Sequence, residues 1–301
     1  MSIIQDIRRM GDAGVIDPPS FVLGGLQWVV MMGSVAYGVS TDDSDIDIYG
    51  WTIPPRSDVF PHLKGEIEGF GRQKQHFNQW QKSHVHDSVT NKDYDFSIYN
   101  IVRYFSLCME GNPNMLDSLF VPSFCVIYST KIGDMVRDSR HLFLHKGIWH
   151  KMKGYAYSQL KKARDRNPVG KRREVVEKFG WDVKSLYHVA RLLDQCEQVL
   201  TYGVMDLQRS REQMKAIREG RMSLEDVERW FACKEVYLEK LYHESIMVPY
   251  APDEKAIKDL LLRCLEEYYG SLEKCIVSED RAVGMLRQIQ GILDSNRRVF
   301  Q

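Results

Sequence analysis

The stretch GSVAYGVSTDDSDIDIYG, residues Gly33–Gly50, concentrates four aspartates behind a glycine-serine turn. It follows an apolar run, LQWVVMM, and in its second part Asp45 and Asp47 alternate with Ile46 and Ile48. A period of two predicts a strand, so both carboxylates project from one face, about 7 Å apart. Like charges at that spacing are unfavourable unless a cation lies between them, and oxygen ligands suit Mg²⁺ or Mn²⁺.

The glycine and serine that open this stretch predict a phosphate-binding turn. Gly33 would let a phosphate approach the backbone, Ser34 adds a hydroxyl, and a short helix after them would offer free N–H groups. A phosphate site directly before a metal-binding strand indicates a nucleoside triphosphate with its magnesium. The alternative interpretation is a surface turn. A surface turn is a good interpretation of Asp42 and Asp43, which we assign to a loop. It is a poorer interpretation of Asp45 and Asp47, which alternate with apolar residues.

The composition of the whole chain does not indicate a partner. Its 301 residues carry 41 Lys plus Arg and 41 Asp plus Glu, so any electrostatic recognition is local. The six cysteines have no C-x-x-C spacing, which predicts reduced core thiols rather than a disulfide framework or a zinc site. The sequence has no signal-peptide core and no run of the roughly 18 apolar residues that a membrane span needs. We therefore expect a cytoplasmic protein.

The two halves of the chain differ in pattern. In the first half, β-branched and aromatic runs alternate with turn residues and predict four strands, LQWVVMM, IDIYGWTI, DYDFSIY and FCVIYS. Helical periodicity dominates after about residue 135. The sequence therefore predicts an α+β fold, with a mixed β-sheet and helices in residues 1–138 and an all-helical domain in residues 139–301.

The full pattern G-S-x-A-x-G-x-x-x-x-x-S-D-I-D is narrow, and it resembles the nucleotidyltransferases of the DNA polymerase β superfamily. Their signature is a Gly-Ser turn, a short helix and a D-x-D strand. A later segment, GNPNMLDSLF at Gly111–Phe120, extends the resemblance to one branch of that superfamily. This branch comprises the RNA-ligase-associated polymerase β-like proteins of bacteria and phages, which are predicted nucleotidyltransferases.

The resemblance implies a third carboxylate on a neighbouring strand. Asp95, in NKDYDFSIY, is our choice, and Asp93 on the same face is the alternative. Asp45, Asp47 and Asp95 would then hold two divalent ions, Mg²⁺ or Mn²⁺. One ion, with Asp95, would lower the pKa of the attacking hydroxyl, and the other would bind the triphosphate and the leaving pyrophosphate. The Gly-Ser turn would hold the terminal phosphates.

The resemblance also places a K-x-x-x-H-x-x-R helix opposite the catalytic strand. In DVKSLYHVARLL this pattern is matched by Lys184, His188 and Arg191, which share one stripe of a helix. Lys184 and Arg191 would neutralise triphosphate charge, and His188 would hydrogen-bond a phosphate or the nucleotide sugar. The alternative is the solvated face of an amphipathic helix.

A basic segment, KKARDRNPVGKRR, surrounds an Asn-Pro-Val-Gly turn. In a charge-balanced protein it predicts phosphate contacts with RNA or with the nucleotide, and a solvated loop between helices is the alternative. In the branch a similar segment follows the catalytic domain, which would bring Gln159 and Lys162 near the ligand. The basic residues are Lys161, Lys162, Arg164, Arg166, Lys171, Arg172 and Arg173.

These patterns together predict a metal-dependent nucleotidyltransferase that moves a nucleoside monophosphate from an NTP to a hydroxyl acceptor. An RNA end, tRNA-like and in a repair or modification setting, fits the branch and the basic segment. A protein or small-molecule hydroxyl fits the same catalytic residues. A non-catalytic NTP or RNA sensor of the same fold is the rival, and the three retained carboxylates argue against it.

The histidines of SHVHD could bind metal, but an exposed hairpin is the better interpretation.

Overall fold

A computed structural model of the protein describes residues 3–41, 44–165, 171–275, 285–286 and 288–290. Three residues that carry predictions, Asp42, Asp43 and Arg166, lie outside these ranges, as does the side chain of Lys171. Within the described ranges, no helix combines the length and the apolar character that a membrane span requires.

Five strands form one mixed sheet: β1 (Leu26–Met31), β2 (Ile46–Thr52), β3 (Gln79–Asp87), β4 (Lys92–Asn100) and β5 (Val126–Ser129). Their order across the sheet is β3-β4-β2-β1-β5. β2 and β4 run parallel, and the other neighbouring pairs are antiparallel. The four strands expected from their apolar runs are present. β3 lies at the edge with most of its side chains exposed, so its sequence lacks that signal.

The first half of the chain also carries helices that flank the sheet. Asn100 and Asn112 cap two of them, because their side chains accept hydrogen bonds from backbone N–H groups of the first turn. These helices are α1 (Ile3–Asp12), α2 (Ser20–Gly24), α3 (Gly33–Ala36), α4 (Arg56–Val59), α5 (Ile101–Met109), α6 (Pro113–Phe120) and α7 (Lys131–Asp138).

The second half is helical in every described element. Its helices are α8 (Ile148–Ala163), α9 (Lys171–Phe179), α10 (Val183–Tyr202), α11 (Arg211–Arg218), α12 (Leu224–Glu244) and α13 (Glu254–Tyr269). α10 is central and packs against α8, α11 and α12. Asp182 caps α10, and Ser223 and Asp226 form a capping box at α12. Short 3₁₀ helices lie at Pro61–Lys64, Ser123–Cys125, Arg140–Phe143 and Leu272–Cys275.

The alternation of the strands separates two hydrophobic clusters on opposite faces of the sheet. The smaller cluster packs α1 and α2 against one face, through residues such as Ile7 and Val22. The larger one begins at Trp28 and Trp51 on the other face and continues to Leu186 in α10. The predicted α+β fold is confirmed. The division at residue 138 stays a prediction, and the larger core is continuous across it.

The cysteines are free thiols, as the sequence predicts. Five of the six are buried, and Cys233 on α12 is exposed. Burial raises the pKa of the Cys125 thiol to about 11, so it is protonated and unreactive at neutral pH. The five buried thiols therefore act as core side chains.

Candidate active site

The strand pairing brings two of the predicted carboxylates side by side. In the parallel register of β2 and β4, Asp47 lies opposite Asp95. Neighbouring strands are about 4.8 Å apart, so side chains on the same face at matched positions are neighbours. Asp45 directly precedes β2, and all three carboxylates line one cavity. Residues that are far apart in the sequence thus become neighbours through the pairing of β2 with β4.

Gly33 lies directly against the carboxylate of Asp47. Its φ is +64°, and a Cβ added there would come 1.8 Å from Asp47 Oδ2. Any other residue would be strained in this conformation and would collide with the carboxylate. The Gly-Ser turn therefore lies against the D-x-D strand, and Ser34 lines the same cavity.

The cavity has a volume of about 550 Å³ and lies between the sheet and α8–α11. Its acidic end is formed by the three carboxylates beside the Gly-Ser turn. The rest of its wall comes from the helical half and from α6, with Asn114, Tyr155, Gln159, Lys162, Arg172, Lys184, His188, Arg191 and Arg218 among its lining residues.

Charge at the acidic end is unbalanced. Burial, together with the neighbouring Asp95 and Asp45 carboxylates, raises the pKa of Asp47 to about 6, although Lys184 acts in the opposite direction. An all-oxygen set of carboxylates that repel one another is the donor chemistry that Mg²⁺ and Mn²⁺ prefer. Among the described residues, no group of three or more His, Cys, Asp or Glu side chains is already close enough to enclose an ion. The residue types thus fit the metal, and a closed coordination shell is not preformed.

Lys184 and His188 face the cavity from α10, across from the carboxylates. Lys184 is exposed in the first turn of the helix. Burial and the surrounding cations Arg191, Lys184, Arg218 and Lys162 lower the pKa of His188 well below its usual value, so the imidazole is neutral. Its Nδ1 is buried and has no hydrogen-bond partner among the described protein groups. This nitrogen therefore has an unused hydrogen-bonding capacity at the cavity wall.

Arg191 differs from the other two residues of the predicted stripe, because it is only 5% exposed. Its guanidinium forms an ion pair with the fully buried Asp117 of α6 and hydrogen-bonds the hydroxyl of Tyr37. The Tyr37 hydroxyl in turn donates to Asp117 at 2.8 Å. The charge of Arg191 is therefore already paired inside the core, and its role in neutralising triphosphate charge stays a prediction.

The two candidates for the third carboxylate occupy different positions. Asp95 accepts a 2.7 Å hydrogen bond from the backbone N–H of His84 and lies beside Asp47. Asp93 pairs with Nδ1 of the exposed His86 at 2.8 Å. It lines a second cavity of about 720 Å³, which shares only Ser44 and Asp45 with the first. This geometry favours Asp95 for the shared site.

The basic segment is only partly free to meet a ligand. Arg172 donates to Asp182 at 2.8 Å, and Asp182 is the residue that caps α10. Arg164 pairs with Glu228, and Arg173 pairs with Glu177. Lys161 and Lys162 are exposed near the end of α8, and Lys162 reaches the first cavity.

Sequence reasoning found some lining residues and missed others. Tyr155, Gln159 and Lys162 are spaced by four and three residues on α8, a periodicity that places them on one helix face and could have identified all three. Arg218 had no such signal. It hydrogen-bonds the backbone carbonyl of Val39, and its position depends on α11 packing near the loop that precedes β2.

Comparisons with known proteins identify the family of the chain. A family model described as the RNA repair pathway DNA polymerase beta family matches residues 25–243. An uncharacterized 38.9 kDa protein from the nrdC-mobD intergenic region of Enterobacteria phage T4 is 27% identical over 113 residues. That match spans 37% of this chain and 31% of the phage protein.

Among solved structures, a nucleotidyltransferase-like protein from Exiguobacterium sibiricum 255-15 aligns over 80% of this chain and 74% of its own. The TM-score is 0.29 and the sequence identity is 12%, values too low to support an argument about fold. The family model is different, because it covers more than half of the 301 residues and includes the Gly-Ser turn, the D-x-D strand and the cation-bearing helix. The chain therefore belongs to the RNA repair pathway DNA polymerase beta family.

Proposed function

We propose that the protein transfers a nucleoside monophosphate from an NTP to a hydroxyl group at an RNA end. The observation that carries this proposal is the matched register of Asp47 and Asp95, with Asp45 at the same end of one cavity and cations along its opposite wall. A polyanionic nucleotide with its metal ions is the ligand that such a charge arrangement favours.

Asp45, Asp47 and Asp95 would hold Mg²⁺ or Mn²⁺, as two ions. When bound, the ions would neutralise the carboxylates and the triphosphate and lower the pKa of the acceptor hydroxyl. The unfavourable ionisation of Asp47 supports this assignment. Burial, with repulsion from Asp95 and Asp45, raises its pKa to about 6, and a divalent cation would stabilise the charged carboxylate.

The phosphates would lie between the Gly-Ser turn and α10. Lys184 offers an exposed ammonium, and the neutral His188 offers a free Nδ1. Lys162 and Arg218 add positive charge to the same cavity. Arg191 would contribute through the electrostatic field and through packing, since its guanidinium already pairs with Asp117.

In the proposed reaction the acceptor oxygen forms a bond to the α-phosphorus. The bond from that phosphorus to the oxygen bridging the β-phosphorus breaks, and pyrophosphate leaves. Asp95 would orient the acceptor hydroxyl, whose proton passes to water. Lys184 and His188 would hold the nonreacting phosphates so that attacking and leaving oxygens are in line.

RNA is the acceptor we favour because exposed basic residues adjoin the cavity. Lys161 and Lys162 lie near the end of α8, and Arg173 is exposed in the first turn of α9. A nucleic-acid backbone bound along these residues would bring its end to the carboxylates. Such binding releases counterions, which gives it a salt dependence that a small-molecule acceptor lacks.

The test is label transfer with the full chain. The protein is incubated with each α-phosphate-labelled NTP, Mg²⁺ or Mn²⁺, and either intact RNA or RNA whose terminal 2′,3′-diol has been oxidised with periodate. We expect label in intact RNA only, and none with the Asp47→Asn variant. Label in a protein or small molecule would move the acceptor to that class. Nucleotide binding without transfer to any of them would support the non-catalytic sensor instead.

A further inference from the structure

The edge of the sheet is irregular at the point where it meets Asp95. On β3, Lys82 pairs with Phe96 and Val85 pairs with Tyr94. Two residues of β3 therefore stand opposite the single residue Asp95, which is the definition of a β-bulge. One of the two is His84, whose φ is +56°. A positive φ is unfavourable for a residue with a side chain, so the surrounding structure must maintain it.

The bulge turns a backbone N–H toward a carboxylate. The N–H of His84 donates to Asp95 Oδ1 at 2.7 Å, a short distance typical of a charge-assisted hydrogen bond. The imidazole of His84 is exposed. What the site receives from this residue is therefore its main-chain donor, and the identity of its side chain matters only through the φ angle it permits.

Edge strands often carry bulges that block association with other chains, and β3 is an edge strand. That explanation requires only a twist in the strand. It does not require that the freed N–H point at the carboxylate that faces Asp47 on the other side. A hydrogen bond to one oxygen of Asp95 limits the rotation of this carboxylate. The Asp47 carboxylate, to which Asp95 would have to be oriented, lies on the adjacent strand.

We infer that the His84 bulge is a positioning element that fixes the orientation of the Asp95 carboxylate for metal binding. The part of this inference that concerns metal binding rests on the proposed function. The hydrogen bond between His84 and Asp95 does not depend on that function. The inference makes His84 a positioning residue rather than a catalytic one, acting through its backbone. It also explains why an exposed position on a polar strand adopts a conformation that its side chain disfavours.

The hydrogen bond is tested first, in protein without metal. Amide hydrogen exchange is measured by NMR at His84 in the wild type and in Asp95→Ala, with the Val89 amide, which donates to Asp87, as the internal reference. Removing a charged acceptor should speed exchange at His84 by about tenfold or more, and exchange at Val89 should not change. Unchanged exchange at His84 would overturn the inference, whether or not the protein is a transferase.

Metal binding is tested second, by Mn²⁺ titration followed by electron paramagnetic resonance. His84→Gly retains the N–H and favours a positive φ, so its Mn²⁺ affinity should match the wild type. His84→Val disfavours that φ and should bind Mn²⁺ about tenfold more weakly. Asn91→Val is the matched control, because Asn91 has a φ of +54° in the turn of the same hairpin.

The control should lose thermal stability as His84→Val does while its Mn²⁺ affinity stays at the wild-type value. Equal affinities for His84→Val and Asn91→Val would contradict the positioning role. A wild-type protein that binds no Mn²⁺ would contradict the proposed function, and in that case the exchange measurement alone decides whether His84 orients Asp95.

Discussion

At the scale of single residues, Asp47 is a carboxylate whose ionisation is unfavourable in the folded protein. Burial and its acidic neighbours raise its pKa to about 6. Replacement by asparagine keeps the shape of the side chain and removes one charge. We expect Asp47→Asn to lower transfer by at least about a hundredfold, because a metal ligand is lost.

The same substitution should not weaken the fold. In a chelator-containing buffer at neutral pH, the melting temperature of Asp47→Asn should equal or exceed that of the wild type, since an unfavourable buried charge has been removed. Label transfer and thermal unfolding are measured on the same preparation. Near-normal turnover with Mg²⁺ would show that Asp47 does not bind the catalytic metal.

The two aspartates of β4 make a second residue-scale prediction. Asp95 adjoins Asp47 in register, whereas Asp93 pairs with the exposed His86. Asp95→Ala should therefore lower the transfer rate by orders of magnitude and leave nucleotide binding measurable, because two carboxylates remain. Asp93→Ala should have a mild effect. Steady-state rates decide between them, and the reverse ranking would assign the third carboxylate to Asp93.

At the scale of elements, a buried charged cluster connects α6, α10 and the residue after α3. Arg191, Asp117 and Tyr37 supply one side chain each, and the Arg191 guanidinium also stacks 4.7 Å from the centre of the Tyr37 ring. Removing one partner of a buried ion pair leaves the other charge uncompensated. We expect Arg191→Ala to lower the free energy of unfolding by about 3–5 kcal/mol.

Lys184 is the matched comparison, because it lies on the same helix but is exposed. Lys184→Ala should leave the free energy of unfolding unchanged and weaken NTP binding by about 1–3 kcal/mol, the scale of a charge-assisted hydrogen bond. Denaturant unfolding and calorimetric titration measure the two quantities. Equal stability of the two variants would mean that Arg191 is not held in a buried pair. Unchanged NTP affinity in Lys184→Ala would mean that Lys184 belongs to a solvated helix face and does not bind the nucleotide.

A second link between elements gives a pH prediction. The side chain of Arg9 on α1 hydrogen-bonds the buried Asp87 at the end of β3, with 2.7 and 3.0 Å contacts. This hydrogen bond, helped by Thr90, holds the pKa of Asp87 well below its usual value. A lowered folded-state pKa stabilises the protein above the unfolded-state pKa of about 3.9, and this stabilisation declines as the pH falls below that value.

Asp87→Asn should therefore lower the melting temperature by several degrees at pH 7 and by progressively less below about pH 4. Thermal unfolding from pH 3 to pH 7 measures the difference between variant and wild type. Asp17→Asn is a suitable control, because Asp17 forms an exposed pair with Lys82. A difference for Asp87→Asn that does not depend on pH would contradict a charge-based link.

How much of the structure the sequence could predict depends on whether a signal is local. The strands that carry the site were predicted because alternating apolar residues reveal a half-buried face, and the caps at Asn100 and Asn112 act within one turn. Of β3, only the exposed hairpin at SHVHD was predicted, because an exposed edge strand needs few apolar residues. The burial of Arg191 could not be predicted, since its partner Asp117 is 74 residues away and meets it only through packing of α6 against α10.

At the scale of the whole molecule, the helical half covers the sheet and completes the cavity. Arg191 reaches Tyr37 after α3, and Gln208 donates to the carbonyl of Ala36 within it. Arg218 hydrogen-bonds the carbonyl of Val39, near the loop before Asp45. The Gly-Ser turn and the first carboxylate are thus held from both halves of the chain. A change in the packing of α10 or α11 would therefore shift residues of the proposed nucleotide site.

The last prediction concerns the surface where RNA would approach. Arg172 is unsuitable for charge reversal, because it pairs with the cap of α10 and its loss would disturb the helix. Lys161→Glu combined with Arg173→Glu avoids this, since both side chains are exposed. The matched control is Lys255→Glu with Lys258→Glu on α13. Lys255 and Arg173 are both exposed and each pairs with an acid four residues later.

We expect the first double variant to weaken RNA binding and to leave nucleotide affinity unchanged, whereas the control should change neither. For the wild type, the logarithm of the RNA association constant should fall linearly with the logarithm of salt concentration, with a slope of about −0.7 for each neutralised phosphate of single-stranded RNA. The slope should become shallower in the first variant, because two phosphate contacts are lost. Fluorescence anisotropy over a series of salt concentrations measures both. RNA binding that is absent or insensitive to salt would assign the acceptor to a protein or small molecule, while the carboxylates and the nucleotide site would keep their proposed roles.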